Sequence, residues 1–307
     1  MKAFVIVDTN GDITIESRNI EQPVPGSDEL RISIRAAGVT PTELLWFPSS
    51  HTREGSPRKL AVPGHEFSGV VEAVGAGVTR FKPGDEIYGM NDWFASGATA
   101  EYCVASQESV AFKPASLTHA EAAAAPIAAL TAWQGLVDRM KIQAGERVLI
   151  VGAGGSVGLM CVQIAAMHGC HVFASAAPLQ AEVLRNLGCE RVLDYRSQPF
   201  EDALTDIDVI FDAVGQDTLV RAEKVMKPDG RRVTIAADAE ATEDPAIKQA
   251  FFIVEPSAWQ LTHMGQLMDE GRLRVFVKET LPFARADEAY LNRNAGANGI
   301  GKLVLAL

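Results

Sequence analysis

The segment Arg147-Val148-Leu149-Ile150-Val151-Gly152-Ala153-Gly154-Gly155-Ser156-Val157-Gly158-Leu159-Met160 constrains this chain more than any other. Val148 to Val151 form an unbroken apolar run, which fits a strand buried on both faces of a parallel sheet. Gly152, Gly155 and Gly158 follow at three-residue intervals, and Met160 to Met167 continues with apolar residues at helical spacing. Strand, glycine turn and helix in that order let a phosphate approach the backbone, where the helix N-terminus offers free N–H groups and a positive dipole end. Gly152, Gly154, Gly155, Ser156 and Val157 are therefore candidates for holding a dinucleotide pyrophosphate. The strict G-x-G-x-x-G fingerprint is not met, because its last position, counted from Gly152, falls on Val157; the pattern is G-x-x-G-x-x-G. A tight strand–helix connection without a ligand is the alternative.

The grammar differs on the two sides of this segment. Up to about residue 115, short alternating stretches such as Arg31-Ile32-Ser33-Ile34-Arg35 and Val70-Val71-Glu72-Ala73-Val74 are broken by glycine and proline, and 81–89 gives another turn and strand. This predicts a small β-barrel or partly open sheet. Thr118-His119-Ala120-Glu121 supplies a capping box for an alanine-rich helix and marks a boundary. From Arg147 strands and helices alternate, with strands expected at 148–152, 171–175, 191–193, 207–212 and 230–236. That is a doubly wound parallel sheet. The tail returns to short strands at 273–277 and 302–305, expected to rejoin the first domain. The expected division is 1–117 with 271–307 for one domain and 118–270 for the other.

At 307 residues the chain is long enough for two cores, and 47% apolar with 22% charged residues is a soluble globular composition. A net charge of -11 argues against nucleic-acid binding. No stretch reaches the roughly 18 apolar residues that would span a bilayer. Met1 to Asp8 is too brief for a signal segment and runs into an expected turn at Asn10-Gly11. Cys103, Cys161, Cys170 and Cys189 form no C-x-x-C pair and read as buried thiols of a protein of the reducing cytoplasm.

Several blocks coincide in order along essentially the whole chain: Ala36-Ala37-Gly38-Val39-Thr40-Pro41-Thr42-Glu43, Pro63-Gly64-His65-Glu66-Phe67-Ser68-Gly69-Val70-Val71, Val74-Gly75 to Gly84-Asp85, and Ala129-Leu130-Thr131-Ala132-Trp133. The glycine turn, Phe211-Asp212-Ala213-Val214-Gly215 and Gly301-Lys302-Leu303-Val304-Leu305 follow. Together they resemble the medium-chain dehydrogenase/reductase superfamily, and the spacing of the glycine turn resembles its zinc-free quinone oxidoreductase (zeta-crystallin-like) branch. The resemblance implies an α/β protein with a GroES-like β-rich substrate domain, a Rossmann cofactor domain, an active site in the cleft between them, and a homodimer.

His65-Glu66 looks like the zinc-ligand histidine and its neighbour in the metal-dependent relatives. The family's first ligand cysteine falls at Thr40 and the third ligand near Ile127, and Cys103 stands alone where a structural zinc lobe needs four cysteines. One histidine does not make a catalytic zinc site, which takes three protein ligands, so no metal is expected.

An NAD site usually has an acidic side chain at the end of its second strand. Here the strand reads Cys170-His171-Val172-Phe173-Ala174-Ser175, and the first acid, Glu182, comes a turn into the next helix. NADP(H) is expected over NAD(H), with Ser175 as hydrogen-bond donor and Arg185 or Arg196 supplying charge. The resemblance adds Tyr195 near the phosphate, Thr131 near the nicotinamide carboxamide, Val214 and Lys302. The alternatives are a strand-ending serine, solvated arginines, a helix back-bond from Thr131 and a surface lysine.

Without a metal, hydrogen-bond donors must stabilise the charge that develops on a substrate oxygen. The resemblance points to Thr40, to Thr42 at the position of a proton-relay hydroxyl, and to Glu43 beside it, the last orienting the loop; loop capping is the alternative for all three. Trp46, Phe47, Trp93 and Phe94 are either an apolar floor for a flat substrate or core. The expected reaction is NADPH-dependent reduction of a quinone or α,β-unsaturated carbonyl. A zinc-free alcohol or aldehyde reductase and a non-catalytic nucleotide-binding sensor or scaffold are the competing readings.

Overall fold

The computed structural model describes residues 1–9, 12–239, 242–291 and 299–307. The turn expected at Asn10-Gly11 lies outside these. The chain divides into two compact units, Met1–Ile127 with Glu255–Leu307, and Ala128–Val254. These limits fall at 127/128 and 254/255 rather than at 117/118 and 270/271, because the short helix His119–Ala123 packs on strands of the first unit, as does the helix Ala258–Asp269.

Seven strands open the first unit: β1 (Lys2–Thr9), β2 (Asp12–Asn19), β3 (Glu29–Val39), β4 (Glu66–Val74), β5 (Glu86–Met90), β6 (Tyr102–Ser106) and β7 (Val110–Phe112). β1 and β2 pair antiparallel, and the rest join a larger sheet described below. Alternation along β3 is what the sequence showed: Leu30, Ile32 and Ile34 are buried and pack with Phe67, Val71, Ile87, Cys103 and Val110. The capping box is present in both halves, with Glu121 N–H donating to Thr118 Oγ1 at 3.3 Å and Thr118 N–H to Glu121 Oε2 at 2.8 Å. The alanine-rich helix does not run on as one piece. It stops at Ala123, and a second helix, Pro126–Trp133, begins at the proline, which suits a first helical position but no interior one.

The second unit carries β8 (Arg147–Val151), β9 (His171–Ala176), β10 (Cys189–Asp194), β11 (Ile207–Asp212) and β12 (Met226–Thr234). All pair parallel in the order β10-β9-β8-β11-β12. Strand order reverses on either side of β8, the topology of a doubly wound nucleotide-binding sheet. Val148, Leu149 and Ile150 are fully buried, as an uninterrupted apolar run requires.

The tail supplies β13 (Val277–Pro282) and β14 (Lys302–Ala306) to the first unit, whose sheet runs β13-β14-β3-β4-β5-β7, with β6 also paired to β3. The strand expected at 273–277 lies later, beginning only at Val277. Gly271 turns with φ +69°, and the amides of Arg272 and Leu273 fold back onto the carbonyl of Leu267, so these residues close the preceding helix instead of extending. Among the described residues no helix is long and apolar enough to cross a membrane.

Candidate active site

In the second unit the C-terminal ends of four adjacent strands bring the expected cofactor residues to one edge. Register places Asp194 beside Ala176, Ser175 beside Val151, and Val151 beside Asp212, so Tyr195, Ser175, the turn at 152–155 and Val214 follow one another along it. In open α/β sheets this carboxyl edge is where ligands bind.

The glycine turn leaves room for one. Gly152 has φ +80°, a conformation that side chains resist. Gly158 lets the helix Ser156–Met167 press onto the turn, since a Cβ there would lie 2.4 Å from the Gly152 carbonyl oxygen and 2.5 Å from Ala153 Cα. At Gly155, in contrast, a Cβ would meet only the Gly152 carbonyl, at 3.6 Å. Gly155 is the N-cap of that helix and no side chain caps it, so the first-turn amides have no capping acceptor. An uncapped helix start beside open space fits a pyrophosphate.

The neighbouring residues are placed as follows. The Ser175 carbonyl accepts from Gly152 and Ala153 amides, both at 3.1 Å; its side chain is buried and its hydroxyl is unengaged among the described residues. Gln180, which no sequence motif singles out, bridges the turn to the end of β9: its Oε1 accepts from Ala177 N–H at 3.1 Å and its Nε2 donates to the Gly154 carbonyl at 3.2 Å. A Cβ at Gly154 would collide with that amide at 1.9 Å. No carboxylate ends β9. Tyr195 is half exposed, and the Arg196 guanidinium lies 5.3 Å over its ring and donates to its hydroxyl. Asp212, buried at the end of β11, accepts from the amides of Val214 and Gly215 and from Thr234 Oγ1, so it fixes the loop that presents the exposed Val214. Burial pushes the Asp212 carboxyl up, against those three donors. Thr131 is buried in the helix Pro126–Trp133.

The catalytic candidates lie in the first unit, where β3 ends and a short 3₁₀ helix, Pro41–Leu45, begins. Thr40 is its N-cap residue, yet its side chain makes no capping hydrogen bond. It accepts a hydrogen bond from Lys302 Nζ at 2.8 Å. Capping is thus not what its hydroxyl does. Thr42 is exposed and its hydroxyl is unengaged among the described residues. Glu43 is fully buried; its carboxylate accepts from Gly64 N–H at 2.8 Å and pairs with His65 Nδ1 at 2.8 Å, so it ties the loop to the segment before β4. His65 is buried, with Nε2 unpartnered among the described residues and its ring 5.1 Å from that of Trp93.

Lys302 is the largest departure from expectation. It is not a surface lysine: only 7% exposed, it is ion-paired with the fully buried Glu66 as well as bonded to Thr40. The other Glu66 oxygen accepts from Ile127 N–H at 3.0 Å. Burial pushes the Glu66 carboxyl up, and Lys302 offsets this in part. Tyr290 was not legible either. Its buried hydroxyl lies 3.0 Å from Thr99 Oγ1, and burial together with the nearby charge of Glu43 raises it far above the ordinary phenol range. The four aromatic residues divide: Trp46 and Trp93 pack edge to face at 4.9 Å beside His65, while Phe47 stacks on His51 and Phe94 lies under Arg53.

Residues 26–138 match the alcohol dehydrogenase GroES-like domain, and 187–305 match a family described as zinc-binding dehydrogenase. The chain is 31% identical to an NADPH-dependent alkenal/one oxidoreductase, chloroplastic, of Arabidopsis thaliana, over 99% of this chain and 79% of that protein. The chain belongs to the medium-chain dehydrogenase/reductase superfamily. Within it, the zinc-free quinone oxidoreductase branch is the one that fits: a quinone oxidoreductase of Homo sapiens is 27% identical over 100% of this chain and 98% of its own. The structure of the quinone oxidoreductase from Coxiella burnetii superposes with a TM-score of 0.87 at 25% identity, covering 100% of this chain and 99% of that one. The zinc of the matched family does not fit here. Thr40 and Ile127 stand at two of the superfamily's ligand positions, and the Lys302 ammonium is bonded to the first of them, where its charge would repel a second cation.

Proposed function

We propose that this reductase uses NADPH to reduce quinones or α,β-unsaturated carbonyls. The observation that carries the reading is the uncapped glycine turn with open space at Gly155, in a chain of this superfamily. NADP(H) rather than NAD(H) is supported by the end of β9, where no carboxylate waits to repel a 2′-phosphate, and by Arg196 stacked on Tyr195 at the neighbouring strand end. Gly152, Gly154, Gly155, Ser156 and Val157 would hold the pyrophosphate, with Ser175, Tyr195 and Val214 beside it and Thr131 toward the nicotinamide. When bound, the cofactor supplies the hydride.

The protein's part is to orient the partners and to stabilise the oxygen that gains charge. Thr40 and Thr42 are the donors for that oxygen, and Glu43 fixes their loop through Gly64 and His65. In an enone the charge spreads over a conjugated system, and in a quinone over an aromatic ring, so hydroxyl donors suffice where a simple ketone demands a stronger electrophile. The names of the relatives from Arabidopsis thaliana and Homo sapiens support these two substrate classes. The four buried free thiols support a reducing compartment such as the cytoplasm, and family membership supports a homodimer.

The test is NADPH and NADH oxidation across a quinone, an enone and a saturated aldehyde, with and without chelator. The expected result is turnover with quinone or enone, a preference for NADPH, and no effect of chelator. Preference for the saturated aldehyde would favour a zinc-free aldehyde reductase. NADPH binding without turnover on any acceptor would identify a sensor or scaffold.

A further inference from the structure

Lys302, the first residue of β14, is buried and bonded to the Thr40 hydroxyl. Lys302 on β14 reaches Thr40, the residue that follows β3, and Glu66 on β4 holds it from the other side. Three elements therefore converge to place one ammonium group. Gly38 makes room for the Glu66 side chain, since a Cβ there would lie 2.6 Å from Glu66 Cγ and Oε1. A buried ion pair of this kind is seldom a net source of stability, because desolvation offsets the attraction.

Its geometry has a definite chemical consequence. An ammonium has three donors and no acceptor, so at 2.8 Å Thr40 Oγ1 must be the acceptor. The Thr40 hydroxyl proton is then directed away from Lys302. Among the described residues it has no acceptor, and the hydroxyl does no capping. The exposed Thr42 has no such cation on its hydroxyl among the described residues.

We propose that Lys302 is a positioning residue that makes Thr40 the principal donor to the substrate oxygen, fixing the direction of its hydroxyl and polarising it with a buried positive charge. The charge takes the place of a Lewis acid and acts through Thr40. Held in a water-poor setting by Glu66, it is screened far less than it would be at the surface. This rests on the carbonyl-reductase reading above and assigns the charge stabilisation within it to one hydroxyl and its cation.

The test uses the full chain with NADPH and whichever quinone or enone the wild type accepts. Thr40→Val should lower kcat by roughly 100-fold, with NADPH affinity, measured by fluorescence titration, held within about twofold. Lys302→Met strands the Glu66 carboxylate, so Lys302→Met/Glu66→Gln is made beside it to keep the site neutral and folded. The pair variant should lose as much kcat as Thr40→Val, and combining it with Thr40→Val should cost little more, because both remove the same donor. Lys302→Arg should recover part of the rate. A second readout needs no turnover: the Lys302 ammonium should give a slowly exchanging ¹⁵N–¹H resonance that shifts in Thr40→Val. Additive losses, or an NADPH affinity that collapses while kcat holds, would overturn the proposal and return Lys302 to the cofactor. Absence of the protected resonance would overturn it too. A wild type inert toward every carbonyl defeats the function reading itself, which keeps the two failures distinct.

Discussion

Gly38 shows how little a single position needs in order to matter. It carries no chemistry, yet its missing side chain is the space that Glu66 occupies, and Glu66 in turn holds Lys302. Gly38→Ala puts a methyl group within 2.6 Å of the carboxylate, and in a strand interior the backbone has little freedom to retreat. Overpacking of this sort costs about 1–3 kcal/mol. The expected outcome is a lower urea midpoint and a reduced kcat with NADPH affinity unchanged; an unaltered kcat would separate the Glu66–Lys302 pair from turnover. Tyr290→Phe tests the same buried region from the other side. It removes the partner of Thr99 Oγ1, leaving a buried hydroxyl unmatched, at about 1–2 kcal/mol in urea unfolding. Neither role was legible from sequence. Thr40 and Glu43 stood in a motif with known spacing, but Lys302 lies 262 positions from Thr40, and no local pattern announces a pairing over that distance. Tyr290 sits among alanines in the tail with no motif around it.

At the scale of elements, legibility tracks local chemistry. β8 and the helix after it were readable because apolar run, glycine turn and helical period are contiguous, and the Thr118–Glu121 box because its two bonds join residues three apart. The strand expected at 273–277 failed for the opposite reason: whether Arg272 and Leu273 extend or fold back onto Leu267 depends on the helix before them, not on their own apolar content. Packing of the helix Ser156–Met167 onto the turn predicts that Gly158→Ala forces helix and turn apart, weakening NADPH binding at least tenfold, whereas Gly155→Ala fills open space and loses affinity without loss of stability. Calorimetry with and without NADPH separates the two. The end of the helix Ala258–Asp269 gives a pH test. Asp269 accepts from Ser116 N–H at 2.8 Å, and this bond holds its carboxyl below the ordinary aspartate range. A depressed folded pKa means stability that is present above the unfolded value of about 3.9 and lost as pH falls through the folded one. The stability difference between wild type and Asp269→Asn should therefore be constant from pH 7 to 5 and shrink below about 4 in urea titrations; a difference independent of pH would show that the carboxylate charge plays no part.

The whole molecule closes its first unit with its last residues. β14 pairs antiparallel with β3 and parallel with β13, so among the described residues it joins β13 to the rest of the sheet. Val304 and Leu305 are fully buried, and Lys302 enters the site from the same strand. A chain ending at Gly301 therefore loses three things together. The hydrogen-bonding edge of β3 from Ala36 to Val39 is uncovered, β13 loses the strand it pairs with, and the Glu66 carboxylate stays buried without its cation. Loss of a partner from a buried ion pair alone costs about 3–5 kcal/mol, comparable to the whole stability of many domains. Hydrogen exchange should show protection lost along β3, β4 and β13 in the truncated chain, to a greater degree than in Lys302→Met, which keeps the strand and removes only the cation. Equal loss in the two variants would mean that the ion pair, rather than strand pairing, governs the stability of this sheet; full protection in the truncated chain would show that the tail serves the site alone.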